Sequence, residues 1–99
     1  PPRLCLLVYG LPGRPASADS MRTLGAAGLR LTRGADLLAQ VGEDRLALLL
    51  HDVDEQAGER VAQRLREGLP PQLADALELR LLPWRGTPIG ALIASLRAR

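Results

Sequence analysis

The chain of 99 residues has no Phe, no Lys and no Asn, and only one each of Cys, His, Trp and Tyr. Each scarcity removes a class of function. A lone Cys5 excludes a disulfide framework and a thiolate zinc site. A lone His51 excludes a multi-histidine metal centre. With Tyr9 and Trp84 as the only aromatic residues, the chain lacks a stacking platform for single-stranded nucleic acid. Thirteen basic against eleven acidic residues, net +2, is too mixed for a generic duplex binder. No nucleic-acid partner is therefore expected. No apolar run approaches the roughly 20 residues that cross a bilayer, so direct membrane insertion is not expected. Nothing has the plan of a signal peptide, which predicts a cytoplasmic location.

What the chain does have is Leu, Ala and Arg. The hydrophobic share is 46%, ordinary for a globular protein and too high for a disordered one. All thirteen basic residues are Arg, a bias that a GC-rich genome produces by mutation alone. Arg nevertheless suits planar, bidentate recognition of guanine, carboxylate and phosphate. The length fits one compact domain, taken here as residues 1–99. Pro1-Pro2-Arg3 reads as the end of a linker, and a start on Pro carries the expectation of a domain excised from a longer protein. Flanking domains or partner proteins of a larger complex are then expected to add packing that so small a core lacks.

Periodicity divides the chain into elements. Leu4 to Tyr9 is a continuous apolar run that predicts a strand buried on both faces. Ser17 can cap a helix over about Ala18 to Gly28. Asp36 to Val41 and Arg45 to His51 flank Gly42-Glu43-Asp44, a β-hairpin pattern. The second run is apolar on both faces, so its strand is expected to be central. Asp52 or Asp54 starts a helix to about Leu69, with Asp52 and Glu55 at capping-box spacing and Ala57, Val61, Leu65 and Leu69 as its buried stripe. Leu73 to Ala76 suggests a helical turn and Glu78 to Trp84 a strand. Thr87-Pro88 opens a last helix whose face is Ile89, Leu92, Ile93 and Leu96. The order β-α-β-β-α-β-α predicts an α/β protein of the α+β kind. Its core is a ferredoxin-like βαββαβ unit, followed by one C-terminal helix.

The stretch Arg33-Gly-Ala-Asp36-Leu-Leu-Ala-Gln-Val-Gly42-Glu-Asp-Arg-Leu46 resembles the core of GGDEF domains, the diguanylate cyclase family. That family reads R-x-x-D, five residues, then a G-G-D-E-F pentapeptide and an apolar strand. Here five residues, Leu37 to Val41, separate Asp36 from Gly42, and Gly42-Glu43-Asp44-Arg45-Leu46 falls where the pentapeptide belongs. Val61-Ala-Gln-Arg-Leu-Arg-Glu67 resembles the family's following helix. The resemblance is good over Arg33 to Leu69 and extends to the ends only as a pattern.

The departures remove the chemistry. Glu43 replaces the second turn glycine, Arg45 stands where a metal-binding acid belongs, and Gly10 occupies the place of the other ligand after the first strand. Two Mg²⁺ ions on a triphosphate need carboxylates that are missing. No enzymatic activity, no metal and no cofactor are expected. R-x-x-D is the family's inhibitory site, so the resemblance implies that Arg33 and Asp36 bind cyclic di-GMP. Arg64 stands at the family's additional arginine. The implied function is a non-catalytic cyclic di-GMP receptor regulating a larger protein, as in exopolysaccharide (cellulose) secretion regulators of the BcsE and PelD types. Ligand-linked dimerisation goes with it. The alternative is a vestigial GGDEF-like protein-interaction module that binds no nucleotide.

Plainer roles exist for each residue. Arg33 and Asp36 can be a surface pair worth under about 1 kcal/mol. Arg64 can be a solvated helix arginine, and Gly42-Glu43-Asp44 an ordinary turn. His51 is read as solvent-facing at a strand end, and Cys5 as a small core hydrophobe.

Overall fold

The computed structural model describes residues 3–12, 17–84, 88, 90, 91 and 94. Strand β1 (Leu4–Gly10) is followed by helix α1 (Ala18–Leu29) and then by strands β2 (Leu37–Gln40) and β3 (Arg45–His51). Helices α2 (Glu55–Glu67) and α3 (Pro71–Ala76) lead to strand β4 (Glu78–Trp84). The strands form one sheet in the order β2-β3-β1-β4, with every neighbouring pair antiparallel. The molecule is an α+β domain. The residues that would carry the expected last helical face, Ile89, Leu92, Ile93 and Leu96, lie outside the described residues.

The two long apolar runs become the two central strands. All seven residues of β1 are buried, as are Leu46 to Leu50 of β3. The strand period of two sorts them. Cys5, Leu7 and Tyr9 share a face with Leu46, Leu48 and Leu50, and Leu24 and Ala27 of α1 and Leu65 of α2 pack on it. Leu4, Leu6 and Val8 share the opposite face with Ala47, Leu49 and Val41. An alternating strand would have left one face polar, so the lack of alternation in the sequence already implied burial on both. The outer strands are less buried. Pro83 sits in β4, an outer strand, where a sheet tolerates proline.

Local chemistry sets the helix ends. Ser17 Oγ accepts from Ser20 N at 3.0 Å and starts α1. The thin apolar stripe of α1 is compensated by close packing. Gly28 lies so near the sheet that a Cβ there would be 2.2 Å from the Tyr9 hydroxyl. That hydroxyl instead donates to Leu24 O at 2.9 Å, tying α1 to β1. Burial pushes the Tyr9 phenol far above its ordinary value.

Helix α2 begins after Asp54, whose Oδ1 accepts from Ala57 N at 2.8 Å, and closes at Gly68. Asp52 therefore does not form the expected capping box. It stands with φ 56°, its side chain exposed, and its amide donates to Arg3 O at 2.8 Å. The helical turn expected from Leu73 is helix α3, which starts earlier because Pro71 fits its first turn. Arg66 Nη1 donates to Ala74 O at 2.6 Å and joins α2 to α3.

The hairpin pairs Leu37 with Leu49 through Gln40 with Leu46, and Val41 N donates to Arg45 O at 3.0 Å. β2 is shorter than expected by a residue at each end. Asp36 N turns back to Arg33 O at 2.8 Å instead of joining the ladder. Among the described residues no helix is long and apolar enough to cross a membrane.

An arginine-lined groove over a buried aspartate

The chain leaves α1 through a turn over residues 30–36 that returns to the sheet beside the end of β3. Asp36 is the pivot of that turn, and its side chain is only 1% exposed. Oδ2 accepts from Arg33 N at 2.9 Å and from Arg33 Nε at 3.4 Å. Oδ1 accepts from His51 N at 2.9 Å. Arg33 also donates from Nη2 to His51 O at 2.5 Å. The R-x-x-D pair therefore clasps the turn to the end of β3. Burial alone would raise the Asp36 pKa. The amides of His51 and Arg33 and the Arg33 guanidinium outweigh it and hold the carboxyl below its ordinary value.

His51 differs from its sequence reading. Its side chain is 34% exposed, and Nδ1 is buried without a hydrogen-bond partner, 3.6 Å from Asp36 Oδ1. The turn packs against the last residue of β3, so the ring faces Asp36 as well as solvent. Cys5 is a core residue as expected. Its Sγ donates to Val53 O at 3.1 Å, and burial pushes the thiol pKa up, with the nearby Glu55 and Asp54 charges adding to the effect.

Beside Arg33 lies a groove of about 210 Å³ between the turn, the end of β3 and the face of α2 that carries Ala57, Arg60, Val61 and Arg64. Arg33 and Arg64 both line it. Asp36 does not; it sits behind Arg33 and orients that guanidinium. Two further charged residues line the groove, Arg60 and Asp52, over an apolar floor that includes Leu50 and Val61.

Arg60 and Arg64 are four residues apart on α2, so they occupy one helical face. Among the described residues neither side chain has an ion-pair or hydrogen-bond partner. Like charges at that spacing repel by a few tenths of a kcal/mol. Arg64 regains part of this because it lies in the last turn, near the negative end of the helix dipole. A bound anion would relieve the rest.

Sequence reasoning missed Arg60 and Asp52 as groove residues. The i, i+4 spacing of Arg60 and Arg64 was legible and would have found the first. Asp52 carried no such signal, because its place depends on how β3 ends.

The other end of the hairpin is closed by backbone contact. Leu11 N donates to Asp44 O at 3.2 Å, and a Cβ on Gly10 would fall 2.1 Å from that oxygen. Arg45 Nε lies 3.8 Å from Asp44 Oδ1. Beside them Gly10, Arg45, Glu78 and Arg80 line a recess of about 70 Å³. Among the described residues no group of three or more His, Cys, Asp or Glu side chains could hold a metal ion.

No family model and no curated protein matches this chain. Three guanidinium groups around an apolar floor suit a ligand that is planar in part and doubly anionic in part. Arg forks bind phosphate oxygens or a guanine O6/N7 edge, and their planes stack on a purine.

Proposed function

We propose that the domain is a non-catalytic receptor for cyclic di-GMP that regulates a larger protein, of the kind that controls bacterial exopolysaccharide (cellulose) secretion. One observation carries the reading: Arg33 and Arg64, singled out from separate sequence motifs, line a single groove with a further arginine, Arg60. Two phosphates and two guanines ask for that density of forks. Asp36 is the positioning residue that holds Arg33 through Nε.

The strand order β2-β3-β1-β4 and the two helix-linked strand pairs support a ferredoxin-like, GGDEF-like core. The contact of Gly10 with Asp44 supports the loss of cyclase chemistry, since a carboxylate side chain at that position has no space.

Titration calorimetry with cyclic di-GMP, with GTP and cyclic di-AMP as controls, tests the reading. The wild-type domain binds cyclic di-GMP. Arg64→Ala, which breaks no hydrogen bond or ion pair among the described residues, weakens binding by roughly tenfold to a hundredfold. Absence of binding at high micromolar ligand overturns the proposal.

A second reading is favoured by the inward turn of Asp36. All the hydrogen bonds of the R-x-x-D pair are explained by clasping the turn to β3, which a vestigial interaction module with no nucleotide would also need. The same titration separates the two.

A further inference from the structure

We infer that Asp52, not Asp36, is the carboxylate that reads the base in this groove and makes it selective for guanine; the inference rests on the receptor reading above. Guanine presents N1–H and its 2-amino group side by side. A carboxylate accepts both in parallel, whereas adenine offers a ring acceptor at N1 and no 2-amino group. A free carboxylate on the wall of a groove therefore favours guanine over adenine.

Asp36 cannot supply it without dismantling the turn. Its two oxygens are taken by three donors and its side chain is 1% exposed. Asp52 lines the groove with Arg33, Arg60 and Arg64. Its side chain has no ion-pair or hydrogen-bond partner among the described residues, although the groove holds three cations.

The backbone fixes where Asp52 stands. Its φ of 56° lies in the left-handed region, which Asp tolerates better than most residues. Its amide is anchored on Arg3 O at 2.8 Å. The carboxylate is thus carried on a defined bend between β3 and α2 rather than on a long flexible stem. Guanine's O6/N7 edge is then left for an arginine fork, and the phosphates for the remaining arginines.

The test uses the whole domain and two variants that keep the left-handed bend. Asp52→Asn is nearly isosteric and tolerates that φ, and Asp52→Gly removes the side chain and any strain with it. Binding of cyclic di-GMP, cyclic di-AMP and cyclic di-IMP, which lacks the 2-amino group, is measured on each, with thermal unfolding as a check on the fold. Wild type should prefer cyclic di-GMP over both analogues. Both variants should lose roughly tenfold to a hundredfold in cyclic di-GMP affinity. Their affinity for cyclic di-AMP should hold or rise, so the selectivity ratio collapses at unchanged melting temperature. A purely structural Asp52 would move all three ligands together.

If Asp52→Gly binds cyclic di-GMP as wild type does while Arg64→Ala does not, the receptor stands and the assignment of Asp52 is wrong. If wild type binds none of the three, the receptor reading is overturned and this inference falls with it.

Discussion

Replacing Asp36 with Ala withdraws the acceptor of two backbone amides, Arg33 N and His51 N, and of Arg33 Nε. An orphaned buried donor costs about 1–3 kcal/mol. The two amides differ. Arg33 is exposed and water can reach it, so its share lies near the low end. His51 is half-buried at the end of a central strand, so its amide is harder to solvate. The expected loss is about 2–4 kcal/mol in total. That is a large fraction of the roughly 5–15 kcal/mol that holds a domain together. In a chain of this size it lowers Tm by about 10–25 °C. Asp36→Asn keeps one acceptor oxygen but aims an amide group at a donor, and should lose about half as much.

Acid adds a second signature. The folded pKa of Asp36 is lowered, so its stabilisation is complete above the unfolded value of about 3.9 and is lost as pH falls through the folded value. The gap between wild type and Asp36→Asn should therefore narrow in acid. Urea unfolding followed by circular dichroism measures both effects. If wild type and Asp36→Ala agree within about 0.5 kcal/mol at neutral pH, a surface ion pair suffices and the clasp is wrong. A gap that widens in acid would contradict the sign of the linkage.

Other outcomes can be checked with simpler assays. Gly28→Ala should destabilise by about 1–3 kcal/mol, because its methyl would collide with the Tyr9 hydroxyl and displace the bond to Leu24 O; urea midpoints measure it. The buried Cys5 thiol, whose pKa is raised, should resist maleimide in the native state and react on adding denaturant; rapid native labelling would contradict its burial. With GTP and Mg²⁺ the domain should form no cyclic di-GMP, and turnover that a chelator abolishes would refute this.

Much of the local structure was legible because it is written in short-range patterns. Six residues of unbroken apolarity at Leu4–Tyr9 and the run around Leu48 imply strands buried on both faces whatever lies beside them. The cap at Ser17, the four-residue stripe of α2 and the turn residues between β2 and β3 act within a few positions of themselves. Arg64 lies on α2, as the helical pattern implied, and Arg33 and Asp36 are three apart in the sequence.

Only the tertiary structure decided what these residues face. Asp36 meets His51 N across 15 residues of sequence because the hairpin register brings the end of β3 beside the turn, and that contact draws the carboxylate inward. The turn, the end of β3 and α2 meet in the fold, so Arg60 joins Arg33 and Arg64 around one groove. The α2 cap falls to Asp54, and Asp52 is left at a positive φ on the groove wall. Residue type and spacing determine which groups are available. Which carboxylate is consumed by the backbone and which stays free depends on long-range packing, since a buried amide must find an acceptor and takes the one the fold brings to it.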